Sequence, residues 1–171
     1  NLVPKPAGLS WEHAACLPTA WLTAYRMLFT NADVQPGSTV LVQGAAGGVA
    51  TALVQLGSAA GLRMWVTSRD EARGEQALAL GADQAFSSGA RLPERVDAVM
   101  ETVGAATWSH SVNSLRPGGT IVISGATSGD APAKAELTKI FFKQLRVVGS
   151  TMGTRDELER QRVERDVGPV L

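Results

Sequence analysis

Thr39-Val40-Leu41-Val42-Gln43-Gly44-Ala45-Ala46-Gly47-Gly48-Val49-Ala50 is the stretch on which the reading of this chain turns. Its first five residues form a largely β-branched apolar run that meets a glycine, the pattern of a strand buried on both faces. Beyond the glycines, Val49, Leu53, Leu56 and Ala60 recur at helical spacing. A strand that bends through glycines into a helix leaves free N–H groups and partial positive charge at the bend, where an anion can sit. A dinucleotide-binding bend needs a small residue at the turn and a glycine where backbone meets pyrophosphate. It also needs a small residue where helix packs on strand. Ala45, Gly47 and Ala50 occupy those places, with alanine substituting at the first and last. The plainer reading, a bend and nothing more, loses ground because of what surrounds it.

Outward from this stretch the chain alternates. Strands are predicted over Met64–Thr67, Gln84–Phe86, Val96–Met100, Thr120–Ser124 and Leu145–Gly149. Between them lie helices predicted over Glu71–Leu80 (closed by Gly81), Ala106–Leu115 (stopped by Pro117-Gly118-Gly119) and Ala133–Lys143. Strands separated by helix-length segments pair in parallel with right-handed crossovers. The expected fold is therefore α/β: a Rossmann doubly wound, six-stranded parallel sheet with helices on both faces. Upstream, residues 1–8 read as a linker. Ser10 then starts a helical stretch that runs to about Phe29 and is expected to break, or to divide into two short helices, at Pro18. Downstream, Arg155 to Arg165 is charged and helix-prone, a solvated exit helix. The expected organisation is a linker at 1–8, a dinucleotide-binding domain at 9–154, and an exit helix and tail at 155–171.

Composition narrows the class. The 171 residues carry 16 Lys plus Arg against 16 Asp plus Glu, so the basic surplus of a nucleic-acid partner is missing. No apolar run approaches the ~18 residues of a membrane span, and no signal-peptide core is visible. A single cysteine, Cys16, rules out an internal disulfide and a multi-cysteine metal cluster. It fits a reducing, cytoplasmic setting.

The end of the second strand bears on which cofactor is held. A ribose 2′-hydroxyl is met by an acidic residue there, a 2′-phosphate by neutral or basic groups. Here the chain reads Thr67-Ser68-Arg69-Asp70-Glu71-Ala72-Arg73. Ser68 and Arg69 are placed to grip a 2′-phosphate, and Arg73 lies one helical turn beyond Arg69. Ser68 with Glu71 also reads as a capping box, which is compatible with an anion site. Asp70 is the counter-evidence, a ribose carboxylate if the strand ends later. The balance favours NADP(H).

With these residues in view, the chain resembles the cofactor-binding domain of the medium-chain dehydrogenase/reductase superfamily, on its zinc-independent, quinone oxidoreductase-like branch. The resemblance rests on Leu17-Pro18-Thr19-Ala20-Trp21-Leu22-Thr23-Ala24-Tyr25, on Gln35-Pro36-Gly37-Ser38, and on Gly44 to Ala50. Leu80-Gly81-Ala82-Asp83, Val96 to Gly104, Leu115-Arg116-Pro117-Gly118-Gly119 and Val147-Val148-Gly149-Ser150 extend it. It implies that Thr23 and Val49 line a nicotinamide, with Thr102-Val103 and Ser124-Gly125-Ala126 closing the same pocket. Ala45, Gly47 and Gly48 would carry the pyrophosphate. Ser68 falls where NAD-dependent relatives carry the ribose aspartate, and Arg73 where they carry a lysine. The last strand, Leu145 to Ser150, would pair with a second copy in a homodimer.

The resemblance also sets expectations about metal and extent. Alcohol dehydrogenases of the superfamily place a zinc-binding cysteine where this chain has Thr19, so no zinc is expected. Cys16 is read as a buried small hydrophobe, and His13 and His110 as surface or capping residues. Relatives flank this region with a catalytic domain, so the chain is expected to be part of a longer enzyme, with Gly168-Pro169-Val170-Leu171 leading back into that domain. Hydride would pass between nicotinamide and a quinone or an α,β-unsaturated carbonyl. No residue is an evident general acid. Tyr25, the only tyrosine, lacks the lysine of a short-chain dehydrogenase, because position 29 is Phe29. Alternatives are a non-catalytic nucleotide-binding module, the cofactor domain of a zinc-type alcohol dehydrogenase, and, disfavoured by Ser68-Arg69, a methyltransferase.

Overall fold

The computed structural model describes residues 3–166. Six strands form one parallel sheet: β1 (Thr39–Gln43), β2 (Arg63–Ser68), β3 (Gln84–Ser87), β4 (Val96–Glu101), β5 (Leu115–Ile123) and β6 (Arg146–Gly149). Their order is β3-β2-β1-β4-β5-β6. The chain thus winds outward from β1 in one direction and from β4 in the other, the doubly wound layout that the alternation predicts.

Alternation along each strand divides the core into two layers. Val40, Val42, Met64, Val66, Ala98 and Met100 face one side, beneath α3 (Gly48–Ala59) and α4 (Glu71–Ala79). Leu41, Trp65, Val99 and Ile121 face the other, beneath α5 (Trp108–Ser114) and α6 (Leu137–Phe142). Both faces being covered explains why the strands read as apolar runs rather than as half-polar alternations.

The amino-terminal stretch does not break at Pro18 but divides into short α-helices joined without interruption. α1 (Trp11–Cys16) passes into a π-helical segment (Leu17–Trp21), then α2 (Leu22–Tyr25), then a second π-helical segment (Arg26–Asn31). Pro18 stands at the start of the first π-helical segment, and helical dihedrals persist through Leu17 and Leu22. The wider turn absorbs a residue that brings no N–H donor. Cys16 is exposed, not buried, because it ends α1, a helix with no buried residue.

α6 is shorter than the predicted Ala133–Lys143. Glu136 holds a left-handed φ of 59°, and the Trp108 indole N–H donates to Ala135 O at 3.2 Å, so the chain before Leu137 is pinned as a loop. Behind α5, Lys143 Nζ donates to the carbonyls of Val112, Asn113 and Leu115 at 2.9 to 3.2 Å. Burial lowers the pKa of this ammonium, with Arg95 and Lys139 adding to the effect. The helix expected from Arg155 is formed as α7 (Arg155–Asp166), and it is not wholly solvated, since Glu157 is buried. The predicted re-entry at Gly168-Pro169-Val170-Leu171 lies outside the described residues.

Candidate functional site

The carboxyl ends of β1, β2, β4 and β5 converge where the winding direction changes, between β1 and β4. A crevice opens at such a point because the crossovers on its two sides lead to opposite faces of the sheet. Each end supplies part of the candidate site.

β1 ends in the glycine turn. Gly44 has φ +82°, and a Cβ there would stand 3.0 Å from Val103 Cγ2, so conformation and packing both require glycine. Thr67 of β2 steadies the turn: Gly44 N donates to its hydroxyl at 3.3 Å and Ala45 N to its carbonyl at 2.9 Å. Gly47 differs. It caps α3 at φ −89°, ψ 159°, a backbone any residue adopts, and a Cβ there would meet nothing within 4 Å. No side chain caps α3, so its first N–H groups open toward the same space. Gly48 lies beside Ala20 of the amino-terminal helix, Val49 is partly buried, and Thr23, on α2, is buried.

At the end of β2, Ser68 is half-buried while Arg69 and Arg73 are exposed. The predicted Ser68–Glu71 capping box is not formed, because β2 runs through Ser68 and the helix starts later. Asp70 is the cap instead, its Oδ1 accepting from Ala72 N at 3.0 Å. Its other oxygen faces Arg73 Nε at 3.5 Å. Ser68 Oγ is turned onto the Asp70 backbone, accepting from its N–H at 3.1 Å. Arg69 has no ion-pair partner among the described residues.

The ends of β4 and β5 are knitted together. Ser124 N donates to Glu101 O at 2.9 Å, Thr127 N to Thr102 O at 3.3 Å and Ser128 N to Val103 O at 2.7 Å. A Cβ on Gly125 would stand 3.0 Å from Thr102 O. Thr102-Val103 and Ser124-Gly125-Ala126 are therefore adjacent. Beside them a cleft of about 500 Å³ is lined by Arg26, Ser124, Gly125, Ala126, Gly149 and Ser150, among others. A groove of about 530 Å³ between residues 89–95 and α5 shares none of the residues expected to hold a cofactor.

Two polar clusters escaped the sequence reading. Glu101 is 1% exposed and Gln43 is fully buried. Gln43 Nε2 donates to Ser111 Oγ at 3.0 Å and lies 2.8 Å from His110 Nδ1, while its Oε1 accepts from Thr67 Oγ1 at 2.6 Å. His110 is accordingly no surface residue; its Nε2 lies 2.8 Å from Ala90 O. Polar residues closing two apolar strands were the visible signal, but their partners lie up to 68 residues away.

The second cluster surrounds Glu157. Thr154 and Glu157 form a capping box: Thr154 N donates to Glu157 Oε2 at 2.7 Å and Glu157 N to Thr154 Oγ1 at 3.2 Å. The same carboxylate takes Arg26 Nη1 at 2.7 Å and the Thr30 hydroxyl at 2.7 Å. Burial pushes its pKa up, but the hydrogen bonds from Thr154 and Thr30, aided by Arg26, outweigh burial and hold it below the ordinary carboxylate value. The spacing Thr154-x-x-Glu157 was the available clue.

A family described as zinc-binding dehydrogenase matches residues 48–165. The chain is 31% identical over 164 residues to crotonyl-CoA carboxylase/reductase of Cereibacter sphaeroides, covering 75% of this chain and 38% of that protein. It is 27% identical over 173 residues to quinone oxidoreductase of Mus musculus, covering 94% of this chain and 51% of that protein. Among solved structures, a 2-octenoyl-CoA carboxylase reductase in complex with NADP and 2-octenoyl-CoA superposes with a TM-score of 0.89 at 27% identity, covering 99% of this chain and 44% of that one. The chain thus spans about half or less of the length of these proteins. Among the described residues no three His, Cys, Asp or Glu side chains are grouped to hold a metal ion. Nor is any described helix long and apolar enough to cross a membrane.

Proposed function

The chain belongs to the zinc-binding dehydrogenase family, as a cofactor-binding domain of the medium-chain dehydrogenase/reductase superfamily, and on that premise we propose that it is the NADP(H)-binding part of an oxidoreductase. The observation that carries this reading is Gly47. Its backbone needs no glycine and no neighbour would meet a side chain there, so the small residue is explained by a ligand outside the protein. The pyrophosphate then rests on Gly47, Gly48 and Ala45 at the uncapped start of α3. Ser68, Arg69 and Arg73 take the 2′-phosphate, and Asp70, spent on a helix cap and an ion pair, supports that choice over a ribose hydroxyl. Thr23, Val49, Thr102, Val103, Ser124, Gly125 and Ala126 line the nicotinamide.

When bound, the cofactor supplies the hydride; the protein's part is to orient it and exclude water. The acceptor is a quinone or an α,β-unsaturated carbonyl, the latter in keeping with the enoyl thioester named for the superposed reductase. Residues 9–154 are the dinucleotide-binding domain, 1–8 its approach, and 155–171 its exit toward a catalytic domain, in a cytoplasmic enzyme. A second copy pairs along β6, the sheet edge, where Val147 is exposed, as are Leu137, Phe141 and Phe142 of α6.

Separate titrations with NADPH and NADH, followed by assays with a quinone and an enoyl thioester, test this. Tight NADPH binding with weaker NADH binding is expected. Binding without turnover, in this chain and in any longer enzyme containing it, would favour a nucleotide-binding module. Preference for NADH would overturn the 2′-phosphate assignment.

A further inference from the structure

We propose that Glu101 is a positioning residue for the nicotinamide half of the bound dinucleotide, acting through the loop 102–104 and never touching the ligand. The inference rests on the NADP(H) reading and adds a residue that none of its contacts includes. Glu101 closes β4 with its side chain turned into the protein, 1% exposed. Its Oε1 accepts from Val103 N at 2.8 Å, Gly104 N at 3.0 Å and the Thr107 hydroxyl at 2.8 Å. Its Oε2 accepts from the Ser111 hydroxyl at 2.6 Å and again from Thr107 at 2.8 Å. A carboxylate accepts and does not donate, and every donor around it comes from the protein.

Two of those donors are successive backbone N–H groups of the loop that turns beside the crevice. The loop has no slack elsewhere. Gly104 stands at φ +91°, where a Cβ would lie 2.5 Å from Gly129 O and 2.8 Å from Ala126 Cα. On its other side Val103 packs against the Gly44 turn. Glu101 therefore decides where Thr102 and Val103 stand relative to both Gly44 and Ala126. Burying a carboxylate is costly unless it is fully hydrogen-bonded, and an apolar side chain in its place would leave the Val103 and Gly104 N–H groups and the Thr107 and Ser111 hydroxyls without this acceptor. What an apolar residue lacks is a grip on the two loop N–H groups.

The network reaches β2 only at Thr67, through Ser111 and Gln43; among the described residues no hydrogen bond joins Ser68, Arg69 or Arg73 to Glu101 or its donors. A dinucleotide lies across the crevice, one half on each side of the switch point. The consequence is selective: loosening Glu101 disturbs the nicotinamide half and spares the adenine half.

The test uses the full chain and two ligands, NADPH and adenosine 2′,5′-bisphosphate, the latter carrying the adenine half with its 2′-phosphate. In Glu101→Ala, NADPH affinity is expected to fall at least about tenfold, with adenosine 2′,5′-bisphosphate affinity held within about twofold. The fluorescence gain of the bound dihydronicotinamide falls with it. Glu101→Gln keeps an acceptor for the loop but turns an amide N–H₂ toward Ser111, so its loss is smaller and in the same direction. Circular dichroism reports whether each variant folds; if the alanine variant does not, the glutamine variant decides. Equal losses for both ligands would reduce Glu101 to a general structural role and overturn the proposal, as would unchanged NADPH binding and fluorescence. Failure of the unmodified chain to bind either ligand would instead remove the NADP(H) reading, and this inference with it.

Discussion

At the end of β2 the groups proposed to meet a ligand are exposed side chains, Arg69 and Arg73 among them. At the ends of β4 and β5 the corresponding groups are backbone loops, held in place by Glu101, Thr107 and Ser111 beneath them. The first region can change its ligand by changing one residue. The second cannot, because its shape is the sum of a buried network in which every donor has an assigned acceptor. On the proposed reading, discrimination between nicotinamide cofactors belongs on the first side, and placement of the reacting ring on the second.

The largest effect expected from breaking this division is at the turn that joins the two sides. Gly47→Val fills the space outside α3, so both NADPH and NADH binding should vanish in fluorescence titrations. Thermal stability should fall by only about 1 kcal/mol, because a Cβ at this position meets no neighbour and the cost is that of a poorer helix cap. Retained binding would show that the loop is only a bend.

Glu157→Ala comes next. It strips Arg26, Thr30 and the Thr154 N–H of their acceptor at the rim of the second region, and should cost about 3 kcal/mol in denaturant unfolding. Because the folded-state pKa of Glu157 lies below its unfolded value, its contribution is fully present above the ordinary carboxylate pKa. It is lost as pH falls through the lowered one. Glu157→Gln should flatten that acid limb of the stability profile. An unchanged profile would mean that Glu157 is not what ties α7 to the body.

On the exposed side the effects are smaller and cofactor-specific. Arg69→Ala should weaken NADPH by about 1–3 kcal/mol and leave NADH nearly unchanged, the sign of a lost charged hydrogen bond. Equal losses would refute the 2′-phosphate role. Asp70→Ala should remove a helix cap and an exposed ion pair with Arg73, about 1 kcal/mol in a thermal melt, with no shift in cofactor preference. If that change abolished NADH binding, Asp70 would be a ribose ligand after all.

The same division governs what could be read beforehand. Gly47 lies on the turn after β1, Ser68 ends β2, Arg69 follows it and Arg73 stands in the first turn of α4, so the roles proposed for them follow from spacing within about 35 residues of chain. Misreadings fell where a neighbour decided the outcome. The break expected as one outcome at Pro18 is absent, because a π-helical turn accommodates it. Cys16 looked like core because lone cysteines usually are, yet α1 buries none of its residues. His110 has no sequence neighbour to explain it; Gln43 and Ala90 do so across 67 and 20 residues.

The sequence by itself determined the doubly wound sheet and the place of the glycine turn after β1. Both depend on local physics: β-branched runs make strands, periodic apolar residues make helices, and glycine permits the bend between them. Only the tertiary structure decided which polar residues are buried and what they hold. A buried carboxylate is satisfied by donors that folding brings from other elements, and no local pattern specifies those. Glu101 in the sequence is one acidic residue after Met100; in the folded chain it holds the loop beside the crevice.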